Sequence, residues 1–99
     1  MNFEWDEPKN QANLRKYGID FREAKLVFND FNAIFFEDER FDYGEIRYVA
    51  IGQLEPDSLN KIIIVVVVYT EKREDLIRII SARKANKREV RLYEQQSQW

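Results

Sequence analysis

The sequence of 99 residues contains neither cysteine nor histidine. Without cysteine, disulfide bonds and thiolate metal sites are excluded. Without histidine, the protein lacks the commonest general base, the commonest nitrogen ligand of metals and the usual pH switch near neutrality. Any catalysis must therefore use lysine, arginine, tyrosine, serine or carboxylate side chains, and we expect neither a metal ion nor an organic cofactor.

Glycine and proline are also scarce, with three and two residues. No flexible linker divides the chain, so we expect one domain over residues 1–99. The isolated glycines exclude a glycine-rich phosphate loop. The longest apolar run, Ile62 to Tyr69, has about eight residues, whereas a membrane helix needs roughly 20. Residues 1–9 lack the pattern of a signal peptide, and we expect a cytoplasmic protein.

The charges that are present are unevenly distributed. Residues 72–91 hold eight lysines or arginines against three acidic residues, a balance of +5 in a chain whose net charge is −2. Residues 30–57 hold eight acidic residues against two arginines, a balance of −6. These blocks are either solvated faces or a cationic surface for nucleic acid with an acidic hairpin held away from it.

Helix signals concentrate in the first third of the chain. After a short strand at residues 2–5, Asp6 is typical of a helix N-cap, and Gly18 is typical of the left-handed residue that ends a helix. Asp20 with Glu23 predicts a capping box for a second helix. Its apolar residues recur at helical spacing and form one predicted core face. They are Phe21, Ala24, Val27, Phe28 and Phe31.

The rest of the chain predicts an α+β fold with an antiparallel meander sheet, because four strand patterns are joined by short loops. A last helix begins near Asn86, which forms a second cap with Glu89, and ends near Gln96. The strand from Ile62 to Val68 is apolar on both faces, so we expect it to be central. The two N-terminal helices cover one face; the last helix, a second copy or another protein covers the other. The predicted strands are 32–36, 45–53, 61–71 and 76–82.

Loop lengths give a register for these strands. A four-residue turn at 72–75 places Tyr69 opposite Arg78, and a centred loop at 54–60 pairs Gln53 with Lys61. This register predicts that Arg47, Tyr69 and Arg78 share one end of one sheet face, beside Arg83 and Lys84.

Several segments of the chain also resemble the BrnT family, the toxins of bacterial type II toxin–antitoxin pairs. The resemblance runs in order through nearly the whole chain, and its most specific part is the Ile-Ser-Ala-Arg element. Members often have histidine where this chain has Tyr17 and Tyr69. The segments are Phe3-Glu4-Trp5-Asp6, Asn13-x-x-Lys16-Tyr17-Gly18, Phe21-x-Glu23-Ala24-x-x-Val27-Phe28, Glu45-x-Arg47, Ile51-Gly52 and Arg78-Ile79-Ile80-Ser81-Ala82-Arg83.

The resemblance implies a RelE-like fold and a ribonuclease that cuts RNA and thereby halts translation. It also implies a BrnA-type antitoxin, whose ribbon-helix-helix dimer binds operator DNA, so that this chain meets DNA only through its partner. The complex could hold two copies of the toxin as a homodimer.

A ribonuclease that works without a metal needs a base, an acid and positive charge for the phosphate. We expect Arg78 and Arg83 to clamp the phosphate, because guanidinium groups offer forked donors that stay charged. Lys84 or Lys16 could act as acid or base, Tyr69 could transfer a proton or stack on a base, and Glu45 is the alternative base. Further RNA contacts are expected from Arg47, Ser81, Lys87, Arg88 and Arg91.

A second function class uses the same cations without catalysis. In that interpretation they engage an acidic antitoxin segment, and the protein is a binding module of a transcriptional repressor complex. Because no histidine is available, the sequence leaves both classes open.

Overall fold

The computed structural model describes residues 1–39, 44–57 and 59–97. It is an α+β structure in which helices lie on both sides of one five-stranded sheet. The strands are β1 (Asn2–Glu4), β2 (Ile34–Asp38), β3 (Arg47–Leu54), β4 (Ile63–Arg73) and β5 (Leu76–Lys84); the α-helices are α1 (Glu7–Tyr17), α2 (Phe21–Ala24) and α3 (Lys87–Ser97), and a 3-10 helix spans Lys25–Asn29.

The sheet has the strand order β1-β5-β4-β3-β2. Strands β2 to β5 form the predicted antiparallel meander, and β1 adds to the free edge of β5 in parallel, with Phe3 opposite Ile77. Strand β4 is central, as its two apolar faces predict. Of the helices in the described part of the chain, none is long and apolar enough to cross a membrane.

Local signals place the ends of α1 and the start of α3. The Asp6 carboxylate accepts from the Lys9 backbone N–H at 3.1 Å, and Gly18 adopts φ 76° and donates its N–H to the Leu14 carbonyl. At the start of α3, Asn86 and Glu89 form a reciprocal capping box with both bonds at 2.9 Å. These three predictions are confirmed.

The second helix is shorter than predicted. Asp20 caps α2 through the Arg22 N–H, but the Glu23 carboxylate accepts from the Asp57 backbone N–H at 2.7 Å instead of completing a capping box. After Ala24 the helix tightens into the 3-10 helix and ends at Asp30.

Asp30 turns the chain away from the core. Its carboxylate accepts from the backbone N–H groups of Asn32 and Gln53. The chain cannot continue as a helix past this point, and Phe31, predicted to lie in the core, is 99% exposed.

The predicted register between β4 and β5 is wrong, for two reasons. The turn has two residues, since Arg73 pairs with Leu76, and of the two bulges in this pair of strands, at Lys72 and Ile80, the one at Lys72 lies between the turn and Tyr69 and shifts the pairing by one residue. Tyr69 therefore lies opposite Ile79 rather than Arg78. Bulges of this kind add one residue to one strand and leave it without a partner.

The predicted register between β3 and β4 is also wrong. Gln53 pairs with Ile64 rather than Lys61, and Tyr48 pairs with Tyr69. Because side chains alternate between the faces of a sheet, Arg47 lies on the face opposite to Tyr69. The predicted group of Arg47, Tyr69 and Arg78 on one face does not form.

Each face of the sheet has its own apolar cluster. We call the face under α1 and α2 the inner face; there Phe21 and Val27 pack on Ala50, Val65 and Val67. The opposite, outer face carries Val49, Ile51 and Val66 beneath Tyr93 of α3. Of the three covers considered for the outer face, the last helix is the one observed.

Candidate functional site: a groove on the outer face of the sheet

An open groove of about 840 Å³ lies on the outer face of the sheet, beside α3. Its floor is made of branched apolar side chains from the three central strands of the sheet, β3, β4 and β5, and its walls carry charged and polar groups. Three arginines are among the wall residues: Arg47, Arg83 and Arg88. The floor residues are Val49, Ile51, Val66, Val68 and Ile80.

Arg83 and Glu89 form a bidentate ion pair in the groove wall. The two guanidinium Nη atoms donate to the two carboxylate oxygens at 2.8 and 2.7 Å, and Arg83 Nη1 also donates to the Lys84 carbonyl at 3.2 Å. The same Glu89 carboxylate accepts from the Asn86 backbone N–H in the capping box. Glu89 therefore couples the first turn of α3 to the end of β5.

Tyr17, the last residue of α1, also lines the groove and is 40% exposed. The Lys16 ammonium lies 5.2 Å from the centre of the Tyr17 ring. A cation at this distance from an aromatic face is attracted to it. The end of α1 thus brings a phenol, and beside it a lysine, to the wall that also contains Ser81 and Arg83.

Acidic residues line the same groove. Glu37, Asp38 and Glu39 reach it from the end of β2, and Asp38 lies directly opposite Arg47 in the sheet. The prediction that the acidic segment is held away from the cationic surface is wrong for these three residues, because the edge strand β2 follows the rim of the outer face.

The groove brings together four of the residues predicted to contact RNA or to act in catalysis. Arg47, Ser81, Arg83 and Arg88 all line it. Lys16 lies next to it through Tyr17. Lys84, Lys87 and Arg91 are exposed near the start of α3 but are not among the lining residues.

The other candidates lie elsewhere. Tyr69 is 5% exposed on the inner face, where its ring stacks on that of Tyr48 with the ring centroids 5.5 Å apart. Burial, with a smaller contribution from the nearby Glu71 charge, raises the pKa of Tyr69 to about 12. Arg78 forms an ion pair of 2.7 Å with Glu4 of β1, and Glu45 lies 3.6 Å from Arg47 and 3.7 Å from Lys72.

Among the groove residues that were not candidates predicted from sequence are Glu89 and Tyr17. Glu89 was identified only as a helix cap, although its position six residues after Arg83, just inside a capped helix, is a usable signal. Tyr17 was noted only as a position at which the BrnT family often has histidine. Within the described ranges, no group of three or more acidic residues could hold a metal ion.

Comparisons with known proteins agree with the resemblance. The profile of the family described as "Ribonuclease toxin, BrnT, of type II toxin-antitoxin system" matches residues 5–89. The 1.1 Å crystal structure of the ribonuclease toxin BrnT from Brucella abortus is similar to this chain, with a TM-score of 0.64 and 34% sequence identity. That match covers 88% of this chain and 99% of the Brucella chain. Among curated proteins, none matches.

The family match spans most of the chain, and the structural match reproduces its α+β fold. The protein therefore belongs to the BrnT family of ribonuclease toxins of type II toxin–antitoxin systems.

Proposed function

We propose that the protein cuts RNA in the outer-face groove, that this cleavage inhibits translation, and that an antitoxin of the BrnA ribbon-helix-helix type neutralises it. The observation that carries the proposal is the convergence of three arginines, a serine and a tyrosine on one open groove. Guanidinium groups bind phosphate through forked donors and remain charged at any physiological pH.

The three arginines, Glu89 and Tyr17 each have a role in the proposed reaction. Arg88 and Arg47 attract the phosphate, and both members of the Arg83–Glu89 ion pair act on the reacting groups. The guanidinium stabilises the negative charge that develops on the phosphate, and the carboxylate accepts the proton of the attacking 2′-hydroxyl. The Tyr17 phenol, or the Lys16 ammonium beside it, donates a proton to the departing 5′-oxygen. Tyr69 has no part in this reaction, because it lies on the other face.

Two arginines of α3 offer a matched test. Arg88 and Arg91 are both exposed, but Arg88 lines the groove and Arg91 does not. We expect Arg88→Ala to lower the cleavage rate of a labelled single-stranded RNA at least tenfold. Arg91→Ala removes the same charge from the same helix and measures long-range attraction alone, so we expect less than a threefold loss.

The purified proteins should be compared at equal concentration and salt, with circular dichroism to confirm that both variants are folded. Equal losses in the two variants would show that the groove is not the place of cleavage.

The proposed antitoxin is an operator-binding protein, and contact with operator DNA would occur through it. Co-expression with a ribbon-helix-helix protein encoded by a neighbouring reading frame should give a stable complex. The mass of that complex would also show whether it holds two copies of the toxin. If the neighbouring reading frames encode no such protein, this part of the proposal fails.

A second candidate is a binding module without catalysis in a repressor complex. It is favoured by the Arg83–Glu89 pair, which already gives a groove arginine a carboxylate partner, and by the acidic residues on the groove rim. Induced expression of the wild type separates the two candidates. Growth arrest with loss of intact mRNA supports the ribonuclease, whereas harmless accumulation of folded protein supports the binding module.

A further inference from the structure

Helix α1 contains two asparagines with buried side chains. Asn10 is 0% exposed and Asn13 is 7% exposed. A buried amide is costly unless its donors and acceptor are hydrogen bonded, so the partners of each side chain show what it holds in place. The two asparagines are one turn apart on the same helix, yet they hold different parts of the molecule.

Asn13 is bonded to the backbone of β5. Its Nδ2 donates to the Ala82 carbonyl at 2.9 Å, and its Oδ1 accepts from the Ala82 N–H at 3.2 Å. Nδ2 also donates to the Ile19 carbonyl at 3.0 Å, just after the end of α1. One side chain therefore satisfies both backbone groups of Ala82, as a neighbouring strand would.

The Asn13 side chain contacts β5 near the C-terminal end of the strand. Strand β1 pairs with β5 only over residues 76–78, so among the described residues no strand lies beside the outer edge of β5 beyond Arg78. Exposed strand edges are normally covered or blocked. Asn13 covers the edge of β5 at Ala82.

Ala82 lies between two residues of the groove wall, Ser81 and Arg83. Asn13 in turn lies one helical turn before Tyr17, which lines the same wall. The Asn13–Ala82 contact, made on the inner side, thus fixes how far the end of α1 stands from the end of β5. That distance sets the spacing of Tyr17 from Ser81 and Arg83.

We propose that Asn13 is a positioning residue for RNA cleavage: it holds β5 against α1 so that the Tyr17 phenol and the Arg83 guanidinium keep their productive spacing. This inference rests on the proposed function. Asn13 touches no RNA itself. Its effect is geometric, and a displacement of about 1 Å in a catalytic group can lower a rate by roughly 10²-fold.

Asn10 supplies a matched control. Its Nδ2 donates to Asp20 at 3.0 Å, and its Oδ1 accepts from the Phe21 N–H at 2.8 Å. It is at least as deeply buried as Asn13 and lies on the same helix. These hydrogen bonds, and those of Nδ2 to the Glu7 carboxylate, lie within α1 or join it to the start of α2, not to β5. Removing either amide leaves buried backbone or side-chain groups without a partner.

The test compares Asn13→Ala with Asn10→Ala at a temperature at which both are folded. We expect both variants to melt at a lower temperature than the wild type. Only Asn13→Ala should lower kcat for RNA cleavage, by roughly 10- to 100-fold, with KM changed less than threefold. Equal losses of kcat in the two variants, or a loss confined to Asn10→Ala, would overturn the inference. If Asn13→Ala does not fold, Asn13→Ser is used in its place, and we again expect a lower kcat than for Asn10→Ala.

A second measurement does not depend on activity. Amide hydrogen exchange at Ala82 should accelerate at least tenfold more in Asn13→Ala than in Asn10→Ala, and the Arg83 Nε resonance should move only in Asn13→Ala. Unchanged exchange at Ala82 overturns the inference even if cleavage is lost. If the wild type cuts no RNA, the proposed function fails, and the exchange and resonance data still decide whether Asn13 positions the groove wall.

Discussion

Tyr17 and Tyr69, the two tyrosines for which the resemblance to the BrnT family suggests histidine in other members, reach opposite faces of the sheet. Tyr17 lines the groove beside Lys16, whereas Tyr69 is stacked in the inner core and has a pKa raised to about 12 by burial. A phenol that is buried and hard to ionise is poorly suited to proton transfer with a substrate. Of the two positions, the one at residue 17 can take part in cleavage.

We therefore predict opposite outcomes for the same substitution at these positions. Tyr17→Phe removes the groove hydroxyl and should lower kcat for RNA cleavage by about 10²-fold, the usual contribution of a positioned acid or base. Tyr69→Phe should leave kcat within about twofold of the wild type. Single-turnover cleavage of a labelled RNA measures both. If Tyr17→Phe cuts at the wild-type rate, Lys16 or another group supplies the proton.

At the scale of elements, three of the contacts made by the described residues hold α3 against the rest of the molecule. The Arg83–Glu89 pair fixes its first turn, Tyr93 packs on the outer face, and the Tyr93 hydroxyl donates to Asp30 at 2.7 Å. Burial, together with this hydrogen bond, raises the pKa of Tyr93 above its ordinary value. Asp30 thereby links α3 to the end of the 3-10 helix and to β3.

The packing of the 3-10 helix on β3 depends on Gly52. A Cβ atom at this position would lie 2.8 Å from Val27 Cγ1 and 3.1 Å from both Ala33 Cβ and Asp30 Oδ2. Such contacts force neighbouring groups to move, and overpacking of this kind costs roughly 1–3 kcal/mol. The displaced groups would include the Asp30 carboxylate that holds Tyr93.

We predict that Gly52→Ala lowers the free energy of unfolding by about 1–3 kcal/mol. Urea denaturation followed by circular dichroism measures the change. Gln53→Ala is the control, because the Gln53 side chain is exposed and its backbone bond to Asp30 is kept; we expect a change within about 0.5 kcal/mol. A Gly52→Ala protein as stable as the control would show that the 3-10 helix can shift without loss.

Sequence reasoning identified the elements better than their register. Asp6, Gly18 and the Asn86–Glu89 box act within three or four residues of themselves, so their effect is visible in the sequence. The bulge at Ile80 depends on pairing between two strands. It changes which face of the sheet the residues after it in β5 reach. The C-terminal cationic cluster made Arg83 and Arg88 candidates from the sequence, whereas their position on one groove with Arg47 required the structure.

At the scale of the whole molecule, the acidic and basic segments that are separate in the sequence meet at the groove. Strand β2 lies at one edge of the sheet and α3 lies across the outer face, so Glu37 and Glu39 border the same groove as Arg83 and Arg88. The anionic rim should weaken the attraction of the groove for RNA.

Removing this anionic rim should strengthen RNA binding. Two like charges within about 10 Å of a bound phosphate each oppose binding by roughly 0.5 kcal/mol at low salt. We predict that the double variant Glu37→Gln and Glu39→Gln binds single-stranded RNA roughly fivefold more tightly at about 50 mM salt, since the two charges together amount to about 1 kcal/mol and 1.4 kcal/mol corresponds to a factor of ten. Fluorescence anisotropy with a labelled RNA measures the Kd.

The control for this prediction is Glu55→Gln with Glu74→Gln, which changes the net charge equally at two exposed positions that are not among the lining residues. If its affinity rises as much as that of the rim variant, net charge rather than the groove governs binding. The advantage of the rim variant should shrink as salt rises, because exposed charges are screened beyond about 10 Å at 0.1 M salt.

With three groove arginines on the phosphates, the wild-type log Kd should rise by about 2 per tenfold increase in salt; a flat response would place RNA outside this groove.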